Sequence, residues 1–142
     1  MSRVINPDSA GKQRNQLMRT VAEILRRLSQ KHDIDNEVKD MVATLVFCFR
    51  EIDEGIDQSA AAWEKRDYWV KAEEVRQRWS WAVDMSDQLK AMVYNNSWEQ
   101  MPQMMLKLLP RVADIKITKL TRKESDWLGN YDRLMREKPP LG

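Results

Sequence analysis

Residues 38–63 carry the feature that most constrains the fold, a long row of mostly apolar side chains at helical spacing. The members stand alternately four and three positions apart, and this period keeps one seam of a helix against a neighbouring helix. A second row of small and apolar side chains runs beside the first, so the face is wider than a two-stranded coiled coil needs. The first row is Val38, Val42, Leu45, Phe49, Ile52, Ile56, Ser59 and Trp63. The pattern therefore predicts a central helix in a globular bundle.

Similar periodicity predicts helices in most of the remaining chain, and alternation marks one exception. Residues 115–120 alternate apolar and polar side chains, but no second strand is available to pair with them, so we expect a docked loop. The predicted elements are main helices at 8–31, 37–66, 67–94 and 97–113, a docked extended loop at 114–124 and a short helix at 125–136. The short connection between the second and third helices predicts a long antiparallel hairpin.

The expected fold class is all-α. The sequence predicts a single domain over residues 1–142, an antiparallel four-helix-type bundle with a long central helical hairpin and a short C-terminal helix. A chain of 142 residues is long enough to bury a core without disulfides or metals. The longest apolar stretch, residues 41–49, is too short to cross a membrane, and the N-terminal residues lack an apolar signal segment. With a single cysteine, these features favour a cytoplasmic protein.

The residues that usually carry chemistry do not assemble into a recognisable site. His32 is the only histidine and Ser29 stands where a di-iron bundle needs glutamate, so that class is excluded. Cys48 lies on an apolar helix face without a histidine beside it, which is typical of a core residue rather than a nucleophile. The carboxylates of residues 51–57 lie opposite the apolar seam and are typical of a solvated face. We therefore expect no catalytic, metal or cofactor site, and a protein that is not an enzyme.

Charge is segregated along the chain although the formal net charge is only +2. Residues 1–31 carry seven basic and two acidic side chains, residues 33–57 carry two basic and eight acidic, and residues 107–123 carry six basic and one acidic. One hypothesis is that the two basic segments flank the acidic second helix and neutralise it inside the bundle. The other is that a basic segment faces outward toward an acidic partner or phosphates.

Two aromatic residues have mostly polar helical neighbours and are the first candidates for a protein interface. Trp81 shares its side of the third helix with Arg78, and Phe47 lies among charged residues of the second helix. Exposed aromatic residues beside arginine are typical of interface hot spots. The predicted partner-binding residues are therefore Trp81, Arg78 and Phe47, although a covering C-terminal segment would bury either aromatic side chain. Trp63, Trp69 and Trp79 fit core positions on their helices.

The sequence supports two functional hypotheses. The first is a non-enzymatic helical interaction module, or a subunit of a larger assembly, acting through contacts with a protein partner or in a homo-oligomer. The alternative is a small nucleic-acid-binding subunit that uses basic helix one and the basic, aromatic hinge at residues 63–81. Its candidate residues are Lys65, Arg66, Tyr68, Lys71, Arg76, Arg78 and Trp81. The small net charge argues against this alternative, because dedicated nucleic-acid binders usually carry a larger basic excess.

Overall fold

The computed structural model describes residues 7–140, in which helices are joined by turns and loops and no strand occurs. The helices are α1 (Pro7–Ser29), α2 (Asn36–Lys65), α3 (Trp69–Tyr94), α4 (Met101–Val112) and α5 (Asn130–Arg136), with short 3-10 turns at Trp98–Gln100 and Glu124–Asp126. Helix α2 packs against α1, α3 and α5, and α4 packs against α1. The expected all-α bundle with a central helical hairpin, α2 and α3, is confirmed.

The apolar row of α2 explains its central position. The side chains from Val38 to Ile56 in that row are at most 3% exposed, and every residue from Met41 to Phe49 is buried. A helix buried on so much of its circumference needs neighbours on several sides, which α1, α3 and α5 provide. The last members of the row, Ser59 and Trp63, are only partly buried. The hairpin therefore extends beyond the thickest part of the bundle.

The segment after α4, residues 114–123, is a loop that lies along α1, and it shows how the two basic segments are used. Arginines of α1 donate hydrogen bonds to its backbone carbonyls: Arg19 to Lys116 and Lys119, Arg26 to Ile117, and Arg27 to Arg122, at 2.7–3.2 Å. Extended backbone without a partner strand must find other hydrogen-bond partners, and these guanidinium groups supply them. The basic segments therefore meet each other, and this face of α1 serves the fold.

Glu23 anchors the same loop from within α1. Its side chain is fully buried and accepts hydrogen bonds from the backbone N–H groups of Thr121 (2.6 Å) and Arg122 (2.8 Å), from the Thr121 hydroxyl and from Arg19 Nε (2.7 Å). Burial alone would raise the pKa of the Glu23 carboxyl. The hydrogen bonds from Arg122, Arg19 and Thr121 outweigh burial and lower this pKa to about 2.

The C-terminal region differs from the predicted short helix over 125–136. A 3-10 turn, Glu124–Asp126, precedes α5, and Gly129 between them adopts a left-handed conformation with φ of 86°. Glycine reaches this conformation without steric cost, and the backbone there cannot continue a right-handed helix. The N-terminus of α5 is then fixed to α2, because Tyr131 N–H donates to Asp40 at 2.9 Å and the Asn130 amide donates to the Thr44 hydroxyl at 2.7 Å.

Candidate functional site

The connection between α2 and α3 forms a tight turn with a satisfied backbone. Asp67 lies in the left-handed region, with φ of 63°, which aspartate tolerates better than most residues. The backbone N–H groups of Arg66 and Tyr68 donate to the Trp63 carbonyl, and that of Asp67 donates to the Glu64 carbonyl, each at 3.0 Å. The last carbonyls of α2 are therefore paired, and the turn holds the first residues of α3 in a defined position. We call residues 63–71 the hairpin tip.

Aromatic and basic side chains of the hairpin tip are organised around Trp63. The Tyr68 ring meets the Trp63 ring edge-on, with centroids 5.7 Å apart and planes at 80°. The Lys71 ammonium lies 4.6 Å from the Trp63 centroid, and the Arg66 guanidinium lies 5.9 Å from it. These are cation–π distances. Three groups thus pack around the Trp63 ring and fix the shape of the tip.

Three consecutive residues of the hairpin tip project into solvent. Trp69 is 61% exposed, Val70 is 72% exposed and Tyr68 is 55% exposed. The prediction that Trp69 belongs to the core is wrong. Trp69 is the first residue of α3 and lies at the tip. The start of α1 does not reach that far, because Ala10 lines a cavity together with Gly55, which is ten residues before the end of α2. Trp69 has the spacing of a core residue but lies beyond the level of the three-helix core.

The cationic residues predicted for nucleic-acid binding do not all lie in the hairpin tip. Lys65, Arg66 and Lys71 are exposed around the aromatic side chains of the tip, with Asp67 between them. Arg76 forms an ion pair with Glu64 and is already partnered. Arg78 is exposed further along α3 and, with Trp63 and Lys71, lines a cavity of about 250 Å³. Burial, and then the nearby charge of Arg78, lower the pKa of Arg14.

Trp81, selected from the sequence as an exposed residue, is half-buried in the bundle. Its ring packs edge-on against Phe49 of α2, with centroids 5.5 Å apart, and beside Trp79 at 5.7 Å. The Arg111 guanidinium of α4 lies over the Trp81 ring, 4.7 Å from the ring centroid. The expectation of exposure is wrong because the ring packs against Phe49 of α2 and the Arg111 side chain of α4 lies over it. Trp81 also lies twelve residues from Trp69, about 18 Å along the helix, so it does not belong to the tip.

Phe47, the other aromatic residue selected, is also covered. It is 7% exposed, and the guanidinium groups of Arg133 and Arg50 lie 4.4 and 5.2 Å from its ring centroid. The expectation that it projects into solvent is wrong, because Arg133 belongs to α5 and this helix is the C-terminal cover allowed for in the sequence analysis. Phe47 is buried and Trp81 is half-buried, so neither is the exposed aromatic side chain that partner binding was predicted to use.

One sequence signal indicates the exposed tip in retrospect. Tyr68, Trp69 and Val70 are consecutive, and consecutive positions of a helix point about 100° apart. Three adjacent large apolar side chains therefore cannot all enter one buried stripe. The spacing of Trp69 and Ala72 describes one face of the helix only, and the neighbours Tyr68 and Val70 point away from that face.

The other groups considered for chemistry are the Cys48 thiol and the carboxylates of residues 51–57. Cys48 is buried, and burial, followed by the charge of Glu51, raises the pKa of its thiol to about 12. Burial and the neighbouring carboxylates Asp57, Glu54 and Asp87 raise the pKa of Asp53. Among residues 7–140, no group of three or more histidine, cysteine or carboxylate side chains is placed to hold a metal ion.

Comparison with known proteins gives no relative. No family model matches the chain, and no curated protein or solved structure is significantly similar to it. Within the described range, none of the helices combines the length and the apolar character that a membrane span requires. Inferences about function therefore depend on the geometry of this chain alone.

Proposed function

We propose that this protein is a non-enzymatic helical interaction module, or a subunit of a larger assembly, that binds a protein partner through the hairpin tip. The observation that carries the proposal is the exposure of the three consecutive residues Tyr68, Trp69 and Val70 at the end of the hairpin. Clustered exposed apolar side chains are typical of interaction sites, and tryptophan and tyrosine are enriched among hot spots. A cytoplasmic location belongs to the same proposal and is supported by the single, buried cysteine.

The packing behind the tip supports this proposal. Ala60 and Ala72, which are at most 1% exposed, lie near the tip on the facing helices of the hairpin and allow a close approach there. The packing of Tyr68, Arg66 and Lys71 around Trp63 holds the turn from the other side. A surface that is already ordered loses less conformational entropy on binding, so more of its contact energy appears as affinity.

The charges around the tip indicate the kind of partner. Lys65, Arg66 and Lys71 are exposed in the hairpin tip, whose two acidic residues are Asp67 and Glu64, and Glu64 is paired with Arg76. A positively charged rim favours a partner with an apolar depression and an acidic rim, because complementary charges speed association and fix orientation.

Nucleic-acid binding is the second candidate, and the exposed Tyr68 and Trp69 beside three cations favour it. Other features reduce its support. Single-stranded nucleic acid usually follows a basic groove, whereas the hairpin tip, residues 63–71, carries a net charge of only +1. Arg76 is paired with Glu64, Trp81 is packed in the bundle, and arginines of α1 hold the docked loop.

Quantitative co-purification from the native host tests the proposal. Tagged wild type is compared with Trp69→Ala and with the control Leu128→Ala, which removes a side chain of similar exposure (66%) outside the tip. A captured protein is then expressed alone and titrated directly with each variant. Truncation of a hot-spot tryptophan costs about 2 kcal/mol or more, so Trp69→Ala is expected to weaken binding roughly 30-fold while Leu128→Ala does not.

Two results decide against protein binding through the tip. One is a partner that binds wild type and Trp69→Ala with equal affinity. The other is quenching of tryptophan fluorescence by single-stranded RNA that disappears in Trp69→Ala and falls steeply with salt, which supports the nucleic-acid alternative.

A further inference from the structure

The end of the bundle opposite the hairpin tip carries a concave site, which we call the end pocket. It has a volume of about 370 Å³ and lies where the α1–α2 turn meets the start of α4. Its wall is largely apolar and includes Ile34, Trp98, Met101 and Met105, and Ile34 is 42% exposed. This size falls within the roughly 300–1,000 Å³ typical of ligand pockets. The end pocket is large enough for one aromatic side chain.

Charges around the end pocket are opposite in sign to those of the tip. The pocket is lined by Asp33 and Glu99, and Lys31 on its wall is bonded to Asp35 and Glu37 at 2.8 and 3.0 Å. Positions 31–39 together with Glu99 carry four carboxylates and two lysines, one of which, Lys39, lies 6.0 Å from the Trp98 ring centroid, so the balance around the pocket is acidic by two charges. An apolar pocket with an acidic rim suits an apolar group flanked by cations.

The hairpin tip has this composition, but it lies at the wrong end of its own chain. Val38 at the pocket and Lys65 at the tip are 27 residues apart on α2, about 40 Å along a straight helix. The rigid hairpin therefore cannot place its own tip in its own pocket. Only the tip of another molecule reaches it.

We propose that the end pocket binds the hairpin tip of a second copy of this chain, with the Trp69 side chain in the pocket and Lys65, Arg66 and Lys71 facing its acidic rim. This inference rests on the proposed function of the tip and names its partner. The two surfaces of the contact are different, so every bound copy still offers one free tip and one free pocket. Such a head-to-tail contact produces a ring where the rotation closes and a filament where it does not.

Sedimentation velocity over a range of concentrations tests this contact with complementary variants. Trp69→Ala removes the tip and keeps the pocket. Ile34→Arg places a cation at a partly exposed position of the pocket wall and keeps the tip. Each variant alone is expected to be monomeric with an unchanged helical circular-dichroism spectrum, whereas an equimolar mixture forms a dimer and nothing larger. Wild type and the control Leu128→Ala form species that grow with concentration and shrink with added salt.

The remaining outcomes overturn the head-to-tail contact. They are a wild type that is monomeric at every concentration, a Trp69→Ala or Ile34→Arg protein that assembles like wild type, and a mixture of the two variants that stays monomeric. A monomeric wild type leaves the tip available for a different protein, which the co-purification experiment detects separately. A wild-type protein that neither captures a partner nor self-associates contradicts both proposals.

Discussion

Glu23 shows how one acidic residue within a basic helix determines the path of a distant segment. In the sequence it is one of two acidic residues among positions 1–31, yet it accepts hydrogen bonds from the backbone N–H groups of Thr121 and Arg122, nearly one hundred positions later. Periodicity predicts which face of α1 is buried but gives no information on what lies against a charged position. A single carboxylate between Arg19 and Arg26 is the signal that the sequence offers.

Replacement of Glu23 by glutamine is expected to destabilise the protein in a pH-dependent way. The folded-state pKa of about 2 lies below the ordinary value of 4.5, so the carboxylate contributes stability above pH 4.5 that is lost as the pH falls toward 2. Glu23→Gln should therefore lower the free energy of unfolding by about 2–3 kcal/mol at pH 7, and the difference from wild type should shrink below pH 4.5.

Urea unfolding at a series of pH values from 7 to 3 measures this difference. The exposed Glu74→Gln is the matched control and should follow wild type throughout. A Glu23→Gln protein as stable as wild type at pH 7, or a difference that grows in acid, contradicts the role assigned to Glu23.

At the scale of elements, the sequence predicts where the helices form but not which of their side chains are buried by other helices. The rows on α2 and α3 are local patterns, and the helices that carry them form where expected. The burial of Trp81 depends on α4 and that of Phe47 depends on α5, contacts between positions far apart in the chain. The exposure of Trp69 depends on where α1 lies relative to the hairpin. Each of these is a property of tertiary packing, which single-helix periodicity does not contain.

The docked loop is an element whose position is set by arginine side chains, and its stability is testable at Arg27. This residue donates to the Arg122 carbonyl at 2.8 Å, and its guanidinium lies 5.1 Å from the centroid of the buried Trp127 ring. Loss of the hydrogen bond in Arg27→Ala costs about 1–1.5 kcal/mol, which should make the amides of Thr121 and Arg122 exchange roughly tenfold faster.

Hydrogen exchange followed by NMR reports this opening residue by residue. Lys12→Ala, an exposed change on the same helix, should leave those rates unchanged. Equal acceleration of core amides such as that of Leu45 would indicate global destabilisation and contradict a local role.

Gly55 gives a second test at the scale of the helix. Gly55 belongs to the second row of small and apolar side chains on α2, a place that predicts close approach of another backbone or a kink. Among the described residues, however, no atom beyond its own stretch of helix lies within 4 Å of the place that a Cβ would take. Glycine costs helix stability through backbone entropy. Gly55→Ala is therefore expected to raise the free energy of unfolding by about 0.5–1 kcal/mol.

The reciprocal change, Ala61→Gly at an exposed position of the same helix, should lower the free energy of unfolding by a similar amount. Denaturant unfolding of both variants provides the comparison. A destabilised Gly55→Ala protein would show that another part of the chain approaches this position closely.

At the scale of the whole molecule, the two ends of the bundle have opposite characters. The hairpin tip presents exposed apolar side chains with cations, and the end pocket presents an apolar depression with carboxylates. The middle is occupied by the core and by the contacts of α4, α5 and the docked loop. Features that the sequence assigned to binding in this middle region, Trp81 and Phe47 above all, stabilise the fold instead.

Site-specific photo-crosslinking in native-host cells tests whether the hairpin tip is the docking surface. A benzophenone amino acid is incorporated at position 69 and, as the matched control, at position 128, which has similar exposure. A discrete protein adduct is expected from position 69, suppressed when Lys71→Glu reverses a charge of the tip, and no adduct of comparable yield is expected from position 128. Equal adducts from both positions, or none from position 69, would contradict docking through the tip.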